Sequence, residues 1–503
     1  MNMKQAKECI KDTVRLYLKK DEFGDYRIPI VRQRPVFLIG APGIGKTAIM
    51  EQIAQELSIA IVSYSMTHHT RQSALGLPFI DHREFEGEQY DVSEYTMSEI
   101  IASIYEVMEA SGLKEGILFL DEINCVSETL SPSMLQFLQY KVFGRHRVPE
   151  GWVIVTAGNP PEYNKSVREF DVVTMDRLKI MEVEADYATW KEYASEKGLH
   201  NAIVSYLALK KEDFYHVETT VKGKSYITAR GWEDLSQILQ LYEEEGLAVD
   251  EMLVGQYLRN ERITKEFTAY YDLYNKYKND YKIEEILSGK DSAKAVEKAK
   301  AAAFDERLSL LGMLLDRVTG EIRETMRLAD CLKELRIPLK ALSGCADAEK
   351  LLQMLQMQER GREKLLKSMQ AAGAISDAEQ YKNKFILRFL EQAERQVRVS
   401  AVSDGAAAYE LIREKFQGET VLLKRQTEEI GSRLHFLFAF VERAFEAGNE
   451  MLILVTELTV NEDSARFIAA FGCPDYQKHN EELMISERQN KFIDEIEKLG
   501  IDG

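Results

Sequence analysis

Val36-Phe37-Leu38-Ile39-Gly40-Ala41-Pro42-Gly43-Ile44-Gly45-Lys46-Thr47 is the stretch from which the fold is read. Its first four residues are apolar, three of them β-branched or aromatic, and spell a short buried strand. They lead into Gly-x-x-x-x-Gly-Lys-Thr, and the run Ala48-Ile49-Met50-Glu51-Gln52-Ile53-Ala54 predicts an amphipathic helix after it. Strand, glycine loop and helix in that order are the context in which this pattern cradles phosphate. Gly40, Gly43 and Gly45 permit turns that a Cβ would obstruct, so successive backbone N–H groups can face one anion. The helix N-terminus adds partial positive charge. Gly40, Ala41, Pro42, Gly43, Ile44, Gly45, Lys46, Thr47 and Ala48 are therefore the expected nucleotide-binding residues. Lys46 is expected to reach the β- and γ-phosphates, and the Thr47 hydroxyl to ligate Mg²⁺. The pattern predicts a nucleoside triphosphate site.

Outward from that stretch, the 503 residues are too many for one core, so several domains are expected. Hydrophobic content of 45% and charged content of 29% suit a globular protein. The net charge of −18 argues against a nucleic-acid partner in bulk. Cys9, Cys125, Cys331, Cys345 and Cys473 form no Cys-x-x-Cys pair and read as reduced thiols. The first residues alternate lysines with no apolar core of signal-peptide length. The richest apolar window, Met451 to Val455, is far shorter than the ~20 residues of a membrane span. A cytoplasmic protein without membrane insertion is expected.

Along the chain, Val36–Ile39, Ala60–Tyr64, Ile117–Leu120, Trp152–Thr156 and Lys179–Val183 alternate with helical patterns. Such alternation predicts a parallel sheet covered by helices on both faces. Around 79–95 the tip Glu86-Gly87-Glu88 predicts a hairpin. The expected organisation is an α/β nucleotide-binding domain over 1–185, a small helical domain over 186–262 and an all-α region over 263–503. In that last region Phe267, Tyr270, Tyr274, Tyr277 and Tyr281 recur at steps of three and four, a packing stripe. Helical segments follow around 293–330, 346–371, 377–398, 406–447 and 478–499. No catalytic signature stands among them.

Two further strands end in chemistry. Ile117-Leu118-Phe119-Leu120 closes on Asp121 and Glu122, and the carboxyl ends of parallel strands face the ligand crevice. Asp121 suits an Mg²⁺ role through water, and Glu122 can orient and deprotonate a water. Val153-Ile154-Val155-Thr156-Ala157-Gly158 closes on Asn159, whose amide can accept from a water and donate to a phosphate oxygen. Taken together these predict hydrolysis rather than transfer to a second substrate.

This series resembles the AAA+ ATPases, and within them the MoxR family. The resembling residues are GAPGIGKT (40–47), ILFLDEIN (117–124), VTAGNP (155–160), MDRL (175–178) and ITARGWEDL (227–235), so the likeness spans roughly 30–262. It implies that Lys46 and Thr47 are the Walker A pair, Asp121 and Glu122 the Walker B pair, and Asn159 sensor 1. Arg177 matches the arginine-finger position and Arg230 the sensor 2 position, which would put Arg230 beside nucleotide. The 79–95 hairpin corresponds to the family's helix-2 insert. Where the family commonly continues with Arg-Ala after Asp-Glu-Ile-Asn, this chain has Cys125-Val126. The resemblance further implies ATP and Mg²⁺ as ligands and self-assembly into a ring, a hexamer. It also implies a protein client that is remodelled, assembled or activated, with a von Willebrand factor A domain protein as the family's frequent companion. A nucleic-acid motor subunit and an ATP-gated scaffold binding through its helical tail are the rival readings.

Other candidates carry less. Arg168 precedes the finger segment and is a second candidate for a trans-acting arginine, with a surface ion pair as the alternative. His68 and His69 are adjacent, so on a strand their imidazoles diverge and a shared metal is disfavoured. A loop contact to a subunit or client is the other reading of the pair. Arg145, His146 and Arg147 read as a solvated basic turn.

Overall fold

Short apolar runs closed by small or acidic residues become one all-parallel sheet in the computed structural model. It describes residues 1–481 apart from 69–71, 73, 75, 144, 164–166, 169, 221, 222, 446 and 447. The first elements are α1 (Met3–Tyr17), β1 (Val36–Gly40), α2 (Lys46–Leu57) and β2 (Ala60–Ser65). Then come β3 (Pro78–Phe85), β4 (Glu88–Tyr95), α3 (Glu99–Ser111), β5 (Gly116–Asp121) and α4 (Ser131–Tyr140). The series ends with β6 (Val142–Phe143), β7 (His146–Arg147), β8 (Trp152–Gly158), α5 (Val172–Met175) and β9 (Lys179–Val183). The sheet order is β2-β5-β8-β1-β9, the five strands expected. Register sets Ser65 opposite Asp121, Leu120 opposite Thr156, and Ile39 opposite Gly158. Parallel pairing thus gathers Gly40, Ser65, Asp121 and Gly158 at one end of the sheet.

Both faces of that sheet are covered. Phe37, Leu118, Leu120 and Ile154 pack with Ile100 and Ile104 of α3 and Phe137 of α4. Phe137 stacks on Phe143 with ring centroids 3.9 Å apart. Each such fully buried side chain is worth about 1.5–3 kcal/mol. The hairpin β3–β4 forms about Glu86-Gly87, both with positive φ (53° and 87°), the mirror-image turn that a tight hairpin needs.

Beyond β9 the chain continues with α6 (Tyr187–Lys197), α7 (Asn201–Leu209), β10 (His216–Thr220), β11 (Gly223–Ile227), α8 (Ala229–Glu245) and α9 (Glu251–Tyr257). Next are α10 (Glu261–Tyr281), α11 (Ile283–Leu287), α12 (Ala293–Ala301), α13 (Phe304–Ala341) and α14 (Ala348–Ala371). The last are α15 (Asp377–Ser400), α16 (Gly405–Phe445), α17 (Asn449–Val460) and α18 (Glu462–Phe471). The span 186–262, read from sequence as helical, also holds the antiparallel pair β10–β11. Its strands are short and mostly polar, so no apolar alternation announced them. The segment 293–330 is two helices, because the chain turns extended at Ala302 and Ala303. Most of 478–499 lies outside the described residues.

The chain divides into two compact units, Met1–Thr189 with Met357–Leu387, and Trp190–Gln356 with the chain from Arg388 on. In the first, Ile61 N of β2 donates to Ala372 O at 3.0 Å and Ser368 Oγ to Ser111 O at 2.6 Å. Ala372 is 2% exposed, and this piece of the tail covers the open edge of the sheet. In the second unit, Phe267 of α10 meets Tyr206 and Trp232, each with centroids 5.4 Å away. The aromatic stripe is packing. Farther along, Leu314 and Val318 of α13, Leu434 and Leu437 of α16, and Leu454 of α17 share one apolar core.

Candidate functional site

The glycine loop leaves β1 at Gly40, where a Cβ would sit 2.7 Å from Val183 O, so only glycine passes β9. Gly43 and Gly45 take φ of 72° and 99°. No neighbour lies within 4 Å of a Cβ at Gly45, so backbone conformation alone selects glycine there. Gly45 caps α2, which carries no acidic residue in its first turn to oppose an anion. Lys46 is 8% exposed, and its Nζ donates to Gly40 O (2.8 Å), Ala41 O (2.9 Å) and Asn159 Oδ1 (2.9 Å). A buried ammonium ringed by neutral acceptors suits a polyanion. Glycine torsions, helix start and cation together fit a nucleotide's phosphates.

Three strand ends supply the rest. Thr47 Oγ1 donates to Asp121 Oδ2 at 3.1 Å, which pairs a hydroxyl with a carboxylate as a hard cation's oxygen ligands require. Asp121 Oδ1 accepts from Glu122 N at 2.8 Å. Glu122 itself has a left-handed backbone (φ 55°), which turns the chain sharply out of β5. Its Oε2 accepts from Ser65 Oγ (3.2 Å) and Thr67 Oγ1 (3.1 Å). Asn159, 9% exposed, follows β8 directly and reaches Lys46 from the other side.

Sequence reading did not single out Ser65 or Thr67, and it gave Asn124 no role beyond its place at the end of ILFLDEIN. The signal for the first two was present in the polar end of β2, Ser63-Tyr64-Ser65-Met66-Thr67. It becomes meaningful only once β2 is known to neighbour β5. Cys125, in place of an arginine, has its thiol pushed up by burial and then by the Glu122 and Asp121 charges. It is a poor thiolate. At the end of α4, Lys141 is 2% exposed and donates to Leu138 O, and burial lowers it to about 7.

Arg177 and Arg168, also in the first unit, have side-chain partners outside this set of residues. Arg177 comes two residues before Lys179, which pairs with Val36, whereas Gly40 pairs with Val183. The length of β1, roughly 13–17 Å at 3.3 Å per residue, separates it from its own glycine loop. Its Nη1 donates to Gln139 Oε1 at 2.5 Å. The adjacent Asp176 reaches Arg34 at 4.0 Å. Arg168 pairs with Glu128 at 2.5 Å, and its backbone N donates to Asn124 O at 2.9 Å. Arg230 is exposed in the first turn of α8, in the second compact unit. His69 lies outside the described residues, and His68 ends a short 3₁₀ turn. Arg145 pairs with Glu94, so the basic turn is partly neutralised. Among the described residues no cluster of metal-ligating side chains occurs, and no helix is long and apolar enough to cross a membrane.

A RuvB point mutant from Thermotoga maritima is 15% identical over 50% of this chain and 69% of its own, with a TM-score of 0.28. That superposition is too loose to bear on the reading. No curated protein matches the chain. The profile of the family described as ATPases associated with various cellular activities (AAA) covers residues 36–174, from β1 to the turn of α5. Residues 36–174 are an AAA ATPase domain, with its parallel sheet and flanking helices.

Proposed function

We propose that this chain hydrolyses ATP to ADP and phosphate as a MoxR-type ring and spends the energy on remodelling or activating a protein partner. The observation that carries the reading is the meeting of Lys46, Thr47, Asp121, Glu122 and Asn159 at one end of the sheet. Lys46 and the glycine-loop amides hold the phosphates, and Thr47 with Asp121, the latter through water, would hold Mg²⁺. Bound there, the cation would neutralise phosphate charge as the bond to the leaving group breaks. Glu122 takes a proton from the attacking water, and Ser65 and Thr67 fix the carboxylate that does so. Asn159 turns its Oδ1 to Lys46, which aims its Nδ2 the other way, toward the transferred phosphoryl group.

Arg177 completes a neighbouring subunit's site, since its place at the far end of β1 keeps it from its own. A guanidinium fork suits a phosphoryl group whose charge spreads over three oxygens. Arg230 reports closure of the 186–262 lid, and Arg168 is the second arginine available in trans. The client, with a von Willebrand factor A domain protein as first candidate, is recognised through the exposed hairpin β3–β4 or the tail. A nucleic-acid motor is the weaker reading, given a charge of −18 and a basic turn paired to Glu94. The deciding experiment compares two variants of the full chain. Lys46→Ala loses ATP binding, whereas Glu122→Gln binds ATP and loses turnover by roughly 10²–10⁴. Hydrolysis at the parent rate by Glu122→Gln would overturn the assignment of the base.

A further inference from the structure

Asn124 stands two residues after Glu122, in the 3₁₀ turn Ile123–Cys125, and is 7% exposed. Its Nδ2 donates to Asn159 O at 2.8 Å, a buried bond between residues 35 apart in sequence. Residue 158 is glycine, and a Cβ there would lie 2.5 Å from Asn124 Oδ1 and 2.7 Å from its Cγ. The amide of Asn124 is therefore laid flat on the backbone that leads into Asn159, in a space that only glycine leaves. On the other side, Asn124 O accepts from Arg168 N at 2.9 Å. One residue thus joins the end of β5, the end of β8 and the segment that carries Arg168. A buried carbonyl turned toward an amide donor has few other places to go, so this bond sets where the Asn159 side chain starts.

We propose that Asn124 is a positioning residue that acts through Asn159, holding its amide where it distinguishes a γ-phosphate from its absence. The proposal rests on the nucleotide reading given above. Removing Asn124 leaves Asn159 chemically intact, yet frees its backbone to drift away from Lys46. The loss then falls on ATP and spares ADP, which offers Asn159 no terminal phosphoryl group. A merely structural asparagine would weaken both nucleotides alike, because the glycine loop that both share would be disturbed.

The test uses the full chain in a Glu122→Gln background, with ATP and ADP titrated separately by calorimetry. Asn124→Ala and Asn159→Ala are each expected to weaken ATP about tenfold, the scale of one charge-assisted hydrogen bond, with ADP within about twofold. The double variant is expected to bind ATP no more weakly than Asn159→Ala alone, since the first change works only through the second. Asn124→Asp keeps shape and volume but loses the donor, and it should behave as Asn124→Ala. ADP affinity reports in every case that the site is folded. Equal losses for the two nucleotides, multiplying effects in the double variant, or a retained ATP preference in Asn124→Asp would each overturn the proposal. If the Glu122→Gln parent bound neither nucleotide, the function proposed above would fall first, and that outcome is separate from these.

Discussion

The carboxyl ends of the parallel strands and the core shared by α13 and α16 are built by opposite rules. At the strand ends the grouped side chains are polar, and each has partners: buried Lys46 donates to three acceptors, half-buried Glu122 accepts from two hydroxyls, and buried Asn159 meets Lys46 and Asn124. In the helical core the buried side chains include Leu310, Leu314, Val318, Leu434 and Leu437, which carry no polar atom and have only volume to satisfy. The first region depends on matched donors and acceptors, so losing one leaves its partner unsatisfied. The second supplies stability and accepts apolar residues of similar volume at modest cost. On the function proposed above, chemistry and stability fall to different residues, and this separation can be attacked from both sides.

The largest expected effect lies in the rate. Arg177→Ala should lower hydrolysis by roughly 10³–10⁵ while ATP affinity holds. Mixed with Glu122→Gln subunits, which are inactive alone, it should regain activity where an intact Glu122 meets an intact Arg177. Native mass spectrometry would establish that the rings are mixed. Near-parent activity of Arg177→Ala alone would sink the trans assignment, and Arg168 would be tested next.

On the stability side, Leu314→Ala or Leu434→Ala should cost about 2–5 kcal/mol in the denaturation of the second unit. ATP affinity should not change. A parallel loss of ATP binding would erase the contrast between the regions.

Lys141 sharpens the comparison within the ATPase domain, because it is a buried cation that donates to the backbone carbonyl of Leu138. Its folded pKa of about 7 lies below the ordinary 10.5, so between those values the unfolded chain binds more protons. Stability should therefore rise as pH increases from about 7 toward 10.5 and be lowest below pH 7. Lys141→Met should flatten that slope and raise stability at pH 6 by a few kcal/mol, on the order of 2–4. An unchanged urea midpoint across this range would count against a buried, depressed lysine.

The smallest effect is expected at the hydroxyls. Ser65→Ala with Thr67→Val loosens the Glu122 carboxylate without removing it, so kcat should fall about 3–10-fold. ATP affinity and thermal midpoint should stay put. A fall as deep as that of Glu122→Gln would show that the hydroxyls do more than orient.

Local patterns in the sequence were enough for the parallel sheet, its five strands, the β3–β4 hairpin and the residues Lys46, Thr47, Asp121, Glu122 and Asn159 as a set. Each of those signals lies within one strand and the turn that follows, where periodicity and residue type speak directly. The β10–β11 pair stayed hidden because its alternation has no apolar face. Only the folded chain decided that Ser65 and Thr67 would hold Glu122, that Asn124 would reach the backbone of Asn159, and that Ala372 would close the edge of β2 at Ile61. Nothing at either partner in those pairs marks the other. Strand order and chain return bring them together, and these are set by how whole elements pack rather than by any run of neighbouring residues.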